Sequence, residues 1–308
     1  MAGLREKDEF SEDIDAIGMG NIFHKVMENL YPQASPVSPK VVDKPFLRSL
    51  LDTEGLILAS VREAVATEHF KLKNKEEIGS LLSRGLSGGV EMVAEGIADN
   101  VRKVITHDLT LAPFMILGSE LKETFAFPVV PSDGSEPFNV NMKFAIDRLD
   151  LVTIKEGKGK DARMVKRLRI VDYKTGASHV SASSFNDIFS ASREASHIFQ
   201  LMLYARMMEY WKEYRGFHPD LDLALIQDPA MEIYEVGDMS ASSPRVIPQI
   251  GGEGKSAGTI YSYSQVGEEF ASRLDCVLSE IFDRNIPFRH SSDQDACAFC
   301  HLKSLCRR

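Results

Sequence analysis

A chain of 308 residues, 44% hydrophobic and 26% charged, has the size and composition of one large globular domain or two small ones. No run approaches the roughly 18 apolar residues of a membrane span, and the N-terminus lacks the apolar core of a signal peptide, so a cytoplasmic protein is expected. The net charge of −9 argues against nucleic-acid binding by bulk charge, and four cysteines are too few for a disulfide scaffold.

Residues 1–19 are acidic and expected to be partly loose. Phe23, Val26, Met27 and Leu30 recur at helical spacing, so a short helix is expected over 20–30, closed by Pro32, Pro36 and Pro39. Residues 45–111 read as a helical insertion with breaks near Gly55, Lys73-Asn74 and Gly88-Gly89. Strand signals follow over 125–130, 140–154 and 165–173, with a turn at Pro131 to Gly134, and predict an antiparallel meander of three strands. Between Lys155 and Lys174 stand eight Lys and Arg against three acids. That segment reads either as a solvated hairpin tip or as a phosphate-steering patch.

A helix is expected over 192–214, with Ile198, Leu201, Met202, Ala205 and Met208 on its buried stripe. Strands are expected over 221–226 and 231–236, and a mobile loop over 237–258, which is rich in Gly, Ser and Pro. A last helix over 264–284 spaces Phe270, Leu274, Val277 and Ile281 for burial. A Cys-rich tail occupies 290–308.

The chemistry concentrates in a few of these elements. Residues two apart in a strand share a face, so Asp172 and Lys174 project side by side. Asp147 lies in the preceding strand, and if the two strands pair, the three side chains converge. Asp is depleted in strands and needs a compensating reason there. Hard carboxylate oxygens suit Mg²⁺ or Mn²⁺. Lys174 fits a cation that aids an attacking water and offsets charge at phosphate.

His24, early on a helix with Gly20 four residues before it, is a candidate further metal ligand. Gln200 and Tyr204, spaced i, i+4, share one helix face. Glu120, read as opening the first strand, could add a carboxylate. Cys297, Cys300 and Cys306 follow the spacing C-x2-C-x5-C, which favours metal or cluster ligation over disulfides. Cys276, His290 or His301 could complete a tetrahedral site, and three unligated thiols are the alternative. No phosphate-binding loop of the G-x4-GK[S/T] type is present.

Five pieces, taken in order, resemble the RecB/AddB-type C-terminal nuclease domain of the PD-(D/E)xK nuclease superfamily. They are Gly20-x3-His24, Ile146-Asp147-Arg148-Leu149-Asp150, Val171-Asp172-Tyr173-Lys174-Thr175-Gly176, Gln200-Leu201-x-Leu203-Tyr204 and the C-x2-C-x5-C tail. The resemblance implies a single α/β domain over 1–308 with a restriction-endonuclease-like fold, a mixed central sheet flanked by helices. It implies metal-dependent hydrolysis of DNA. His24, Asp147, Asp172 and the Tyr173 carbonyl would bind Mg²⁺ or Mn²⁺, and Lys174 would be the catalytic lysine. Gln200 and Tyr204 would form the accessory motif beside it.

It further implies an exonuclease domain working with a helicase–nuclease partner subunit in double-strand break repair. The alternative is a catalytically inactive DNA-binding or structural module of such a complex, and a third possibility is a zinc-binding interaction module at the tail. Two departures stand out. Phe144 replaces a frequent Gly. The family's [4Fe-4S] staple takes its first cysteine from upstream of the histidine helix, whereas no cysteine precedes Cys276. The chain is therefore expected to be a fragment lacking N-terminal parts of a parent protein, with the cluster incomplete.

Overall fold

A computed structural model describes residues 13–156, 159–190, 195–215, 228–237, 243–251, 258–289 and 303–304. The N-terminal helices begin where short polar side chains can cap them. In α1 (Ala16–Leu30) the Asp15 carboxylate accepts the Gly18 amide at 2.7 Å. Asp43 does the same for Phe46 in α2 (Lys44–Asp52), which also has a proline in its first turn. The chain continues through α3 (Leu56–Ala64), a π-turn over Val65–His69, α4 (Lys75–Arg84) and α5 (Gly88–Leu111). The breaks between these helices fall where Gly55, Asn74 and Gly88 stand, as the sequence predicts.

Three strands then form the expected meander: β2 (Phe114–Val129), β3 (Phe138–Glu156) and β4 (Arg163–Lys174), after a short edge strand β1 (Lys40–Val42). From β4 the chain runs through β5 (Ser181–Ala182), α6 (Phe185–Ile188) and α7 (Ser196–Arg215) to β6 (Ala230–Glu235), which lies parallel to β4. The other described elements are β7 (Arg245–Val246), β8 (Gln249–Ile250), β9 (Gly258–Thr259) and α8 (Gly267–Ile281). The main sheet has the order β1-β2-β3-β4-β6-β7, and β5, β8 and β9 make a small second sheet.

Both faces of the sheet are buried at β4 and β6, which explains the near-continuous apolar runs of these strands. Val171, Tyr173, Ala230 and Tyr234 face a core shared with α1, α2, α3 and α5. Leu168, Ile170, Met231 and Ile233 face the core of α6, α7 and α8. All five stripe residues predicted for α7 are buried.

Some expectations change. The first long strand starts at Phe114 rather than near 125, so Glu120 sits inside it. The 237–258 stretch, read as a loop, holds β7 and β8 among its described residues because Arg245 and Val246 add to β6. Val277 and Ile281 on α8 are exposed, as that helix runs past the edge of the core. The strand expected over 221–226 lies outside the described residues.

A row of six charged side chains crosses the sheet beneath α5. Arg148 reaches Asp108 at 2.6 and 3.0 Å and Asp150 at 3.0 Å. Arg169 bridges Asp150 (2.7 and 2.9 Å) and Glu232 (2.9 Å), and Arg245 Nε donates to Glu232 at 2.8 Å. Tyr31 and Tyr234 hydroxyls also donate to Asp108. Three carboxylates alternate with three guanidiniums, so each buried charge has an opposite partner. Burial alone would raise the pKa of Asp108, but Arg148 overrides it and holds the carboxyl below its ordinary value.

Candidate active site

The sheet splits at the predicted site. Pairing between β3 and β4 runs from Glu156↔Arg163 to Arg148↔Val171 and ends there. Beyond that point β3 continues only with β2, out to Val129↔Phe138, while β4 continues with β6 to Lys174↔Glu235. A fork leaves backbone groups without ladder partners, and such groups need others. The Asp147 carboxylate fills one of these vacancies, accepting the Tyr173 amide at 2.7 Å.

Strand alternation also breaks at the fork. Phe144 and Ile146 face the same core as Leu149 and Leu151, so the period of two skips at Asp147 and Arg148. On β2, Glu120 has φ of 50°, a left-handed conformation costly for a residue with a side chain. Both irregularities turn carboxylates toward α1. His24 meets them there, with Nδ1 at 2.9 Å from Glu120 Oε1 and 3.4 Å from Asp147 Oδ1. One ligand atom from each of the three lies within 4.8 Å of the others.

A second string of contacts starts one residue beyond. Asp172 Oδ2 lies 2.6 Å from Lys174 Nζ, and that ammonium is 3.3 Å from Gln200 Oε1 on α7. Gln200 Nε2 then donates to the Tyr204 hydroxyl at 2.9 Å. The i, i+4 spacing does place these two on the helix face aimed at the lysine. Behind Lys174 the backbone is clamped. Its carbonyl accepts the Val236 amide at 2.9 Å, and any Cβ at Gly237 would come within 2.2 Å of the Thr175 carbonyl oxygen. Gly20 faces the same turn, where a Cβ would stand 3.6 Å from the Thr175 hydroxyl.

Electrostatics mark the cluster as strained. Burial pushes the Asp147 carboxyl up to about 7, with nearby Asp172 adding to the rise and His24 opposing it. Asp172 is also raised by burial, partly offset by Lys174. Burial lowers His24, yet the Glu120 hydrogen bond and the Asp147 charge win and raise it. Glu120 is correspondingly held low by His24 against the effect of burial. Carboxylates forced together with imidazole, partly desolvated and short of cationic partners, form a donor set that fits a hard divalent cation.

The opening is a cavity of about 520 Å³ between α1 and the fork, lined by His24, Glu120 and Asp147 together with Lys25, Glu28 and Lys122. Glu68 reaches it from the π-turn after α3. A hollow of about 700 Å³ on α4 shares none of these residues and brings no comparable ligand set together.

The sequence-predicted residues therefore fall into two adjoining groups. His24, Glu120 and Asp147 form one, and Asp172, Lys174, Gln200 and Tyr204 the other. They are joined through the Tyr173 amide. The Tyr173 ring packs edge-on to His24, with centroids 5.8 Å apart, and its hydroxyl accepts from Arg148 at 3.2 Å. Glu120 proved more central than its sequence setting suggested, since only the fork aims it at His24.

His197 was missed. It stands on α7 one turn before Gln200 and accepts the His179 amide at 2.9 Å. Burial and the nearby Lys174 push its imidazole down to about 4. The spacing His197-x2-Gln200 was the available signal. The basic β3–β4 tip is not beside the site. Asp172 stands nine positions along the strand from Arg163, about 30 Å, and Arg163 and Arg167 pair with Glu156. Cys297, Cys300 and Cys306 lie outside the described residues, and Cys276 is a free, exposed thiol.

A split mixed sheet between helical layers, with carboxylates, an imidazole and a lysine at the split, defines an α/β protein of the restriction-endonuclease-like kind. The chain belongs to the PD-(D/E)XK nuclease superfamily, whose family profile matches residues 1–307. No curated protein sequence matches it. Among the described residues no helix is long and apolar enough to cross a membrane.

Proposed function

We infer that the chain is a deoxyribonuclease that hydrolyses phosphodiesters with Mg²⁺ or Mn²⁺. The observation that carries this reading is the meeting of His24, Glu120 and Asp147 within 4.8 Å, next to the Asp172–Lys174 pair, at the fork of the sheet. His24, Glu120 and Asp147 would hold the cation, with Asp172 and the Tyr173 carbonyl as neighbouring oxygen donors. Bound there, the cation supplies positive charge against the negative charge that builds on the phosphate oxygens.

The protein's own groups do the rest. Asp172 and Gln200 hold the Lys174 ammonium in a fixed place, so it is positioned before substrate arrives. From there it can donate a hydrogen bond to the attacking water and hold that water in line with phosphorus. The Lys174 ammonium, which only donates, takes the Gln200 amide oxygen, and the Gln200 nitrogen donates to the Tyr204 hydroxyl.

The finer reading, the exonuclease domain of a helicase–nuclease subunit in break repair, is supported by the ordered motifs from Gly20-x3-His24 to Gln200-x3-Tyr204. A [4Fe-4S] cluster of a longer parent protein, to which Cys297, Cys300 and Cys306 would give three of the four ligands, belongs to the same proposal, as does a cytoplasmic location. Purified protein should cut linear DNA with Mg²⁺ or Mn²⁺ and lose cutting in Asp172→Ala and Lys174→Ala. Undiminished cutting by both variants would reject the assignment.

A further inference from the structure

Beyond the fork, β2 and β3 continue as a two-stranded ribbon. Its two faces differ in kind. Phe125, Phe127, Val129, Phe144 and Ile146 cover one face and are buried against the core of α7 and α8. The opposite face carries the register pairs Lys122↔Ala145, Thr124↔Lys143, Ala126↔Asn141 and Pro128↔Asn139. All of these except the half-buried Ala145 are exposed, and no described element packs over them. The lone acid within the ribbon strands past Glu120 is Glu123, whose alternation sends it to the other side.

The solvated face of an antiparallel pair is normally polar, commonly with charges of both signs. This one presents two lysines, two amides, a hydroxyl and small residues and no acid, with Phe125, Phe127 and Phe144 turned inward. Lysine, amide and hydroxyl groups are the usual donors to phosphate and sugar oxygens. The missing aromatics leave no platform for stacking unpaired bases. The face is also continuous with the site: Lys122 lines the cavity that holds His24, Glu120 and Asp147, and Ala145 lies two residues from Asp147. From Glu120 to Pro128 the strand runs about 27 Å at about 3.4 Å per residue, close to the rise of roughly eight base pairs.

We propose that this ribbon face is a docking track for the sugar–phosphate backbone of duplex DNA flanking the cut. It rests on the nuclease reading for its substrate and adds where and how that substrate lies. Lys122 and Lys143 neutralise phosphates, Asn139, Asn141 and Thr124 hydrogen-bond the backbone, and the track carries no sequence preference.

The test is binding rather than cleavage. A fluorescein-labelled DNA duplex of about 24 base pairs is titrated with full-length protein in EDTA, and anisotropy is read over a salt series. The Lys122→Gln/Lys143→Gln variant should bind about tenfold more weakly at low salt, with the slope of log K against log salt shallower by roughly two. Lys160→Gln/Lys166→Gln, at the distant hairpin tip, should bind like wild type. A thermal melt within a degree or two of wild type shows that the exposed substitutions leave the fold intact.

Unchanged affinity and slope in the Lys122/Lys143 variant would overturn the track, as would loss of binding in the tip variant alone. Tighter binding of a single strand than of the duplex would overturn the duplex assignment. A parallel cleavage assay separates the two readings. If wild type binds through these lysines but never cuts, the nuclease reading fails and the track stands. If wild type cuts in a Lys174-dependent way but ignores the lysine changes, the reverse holds.

Discussion

Two clusters of charge sit on the same sheet and are treated in opposite ways. In the row from Asp108 to Arg245, three acids meet three arginines, five of the six are almost wholly buried, and each charge has an opposite neighbour. At the fork, Glu120, Asp147 and Asp172 crowd around His24 with Lys174 as their nearest fixed cation, beside an open cavity. The row lowers the pKa of Asp108 and keeps it charged, whereas the fork raises that of Asp147 to about 7. Charges arranged for the fold satisfy one another. Charges arranged for chemistry leave a deficit that a ligand fills.

Substitution should separate the clusters most sharply in activity. Asp172→Asn and Lys174→Ala are each expected to cut DNA at least about 10²–10³-fold more slowly, with melting temperatures at or above that of wild type. Single-turnover cleavage and a thermal melt on the same preparations check both halves. A large drop in melting temperature would show that these residues belong to the structural set instead.

The converse test removes one guanidinium from the row. Arg148→Met leaves Asp108 without its cationic partner in the core, while Asp150 keeps Arg169, and should cost about 3–5 kcal/mol, the usual loss when one partner of a buried pair goes. Urea denaturation measures it. Although Arg148 also donates to the Tyr173 hydroxyl, the variant is expected to lower activity only through reduced folding. A loss of activity at full folding would mean that the row also positions the site.

These two clusters were not equally legible. Asp147, Asp172 and Lys174 could be found because acids and a lysine within apolar strand sequence violate strand preference. Gln200 and Tyr204 followed from helical spacing. The row was not found, although Arg148, Asp150 and Arg169 lie in the same strands. Its partners, Asp108 and Glu232, come from elements 40 and 63 residues away from the arginines they meet, and nothing local joins them. Glu120 was misplaced for a related reason. Its role depends on a fork in pairing and a left-handed residue, and both are tertiary choices written in neither propensity nor period. The helices from α2 to α5 were legible because the breaks between them are marked by Gly55, Asn74 and Gly88.

Cation binding sharpens the comparison further. Mn²⁺ at about 100 times its dissociation constant should stabilise the folded chain by about 2.7 kcal/mol. His24→Ala and Glu120→Gln are expected to erase that gain, and Arg245→Lys, in the row, to keep it. Melting temperature with and without Mn²⁺ reads the difference.

The smallest effect lies in the pH dependence of the metal-free protein. Asp147 ionises near 3.8 ordinarily and near 7 when folded, so the fold holds the proton more tightly than the unfolded chain does. The stability linked to this group is therefore fully present below pH 3.8. It declines as pH rises from there to about 7, and is flat above. An amide cannot ionise, yet its oxygen can still accept the Tyr173 amide. Asp147→Asn should thus match wild type near pH 4 and exceed it near pH 8, by on the order of 1–2 kcal/mol. Added Mn²⁺ should reverse the ranking at pH 8, because only the carboxylate rewards the cation. Equal stabilities at both pH values would mean that Asp147 is already compensated, as Asp108 is, and the distinction between the two clusters would dissolve.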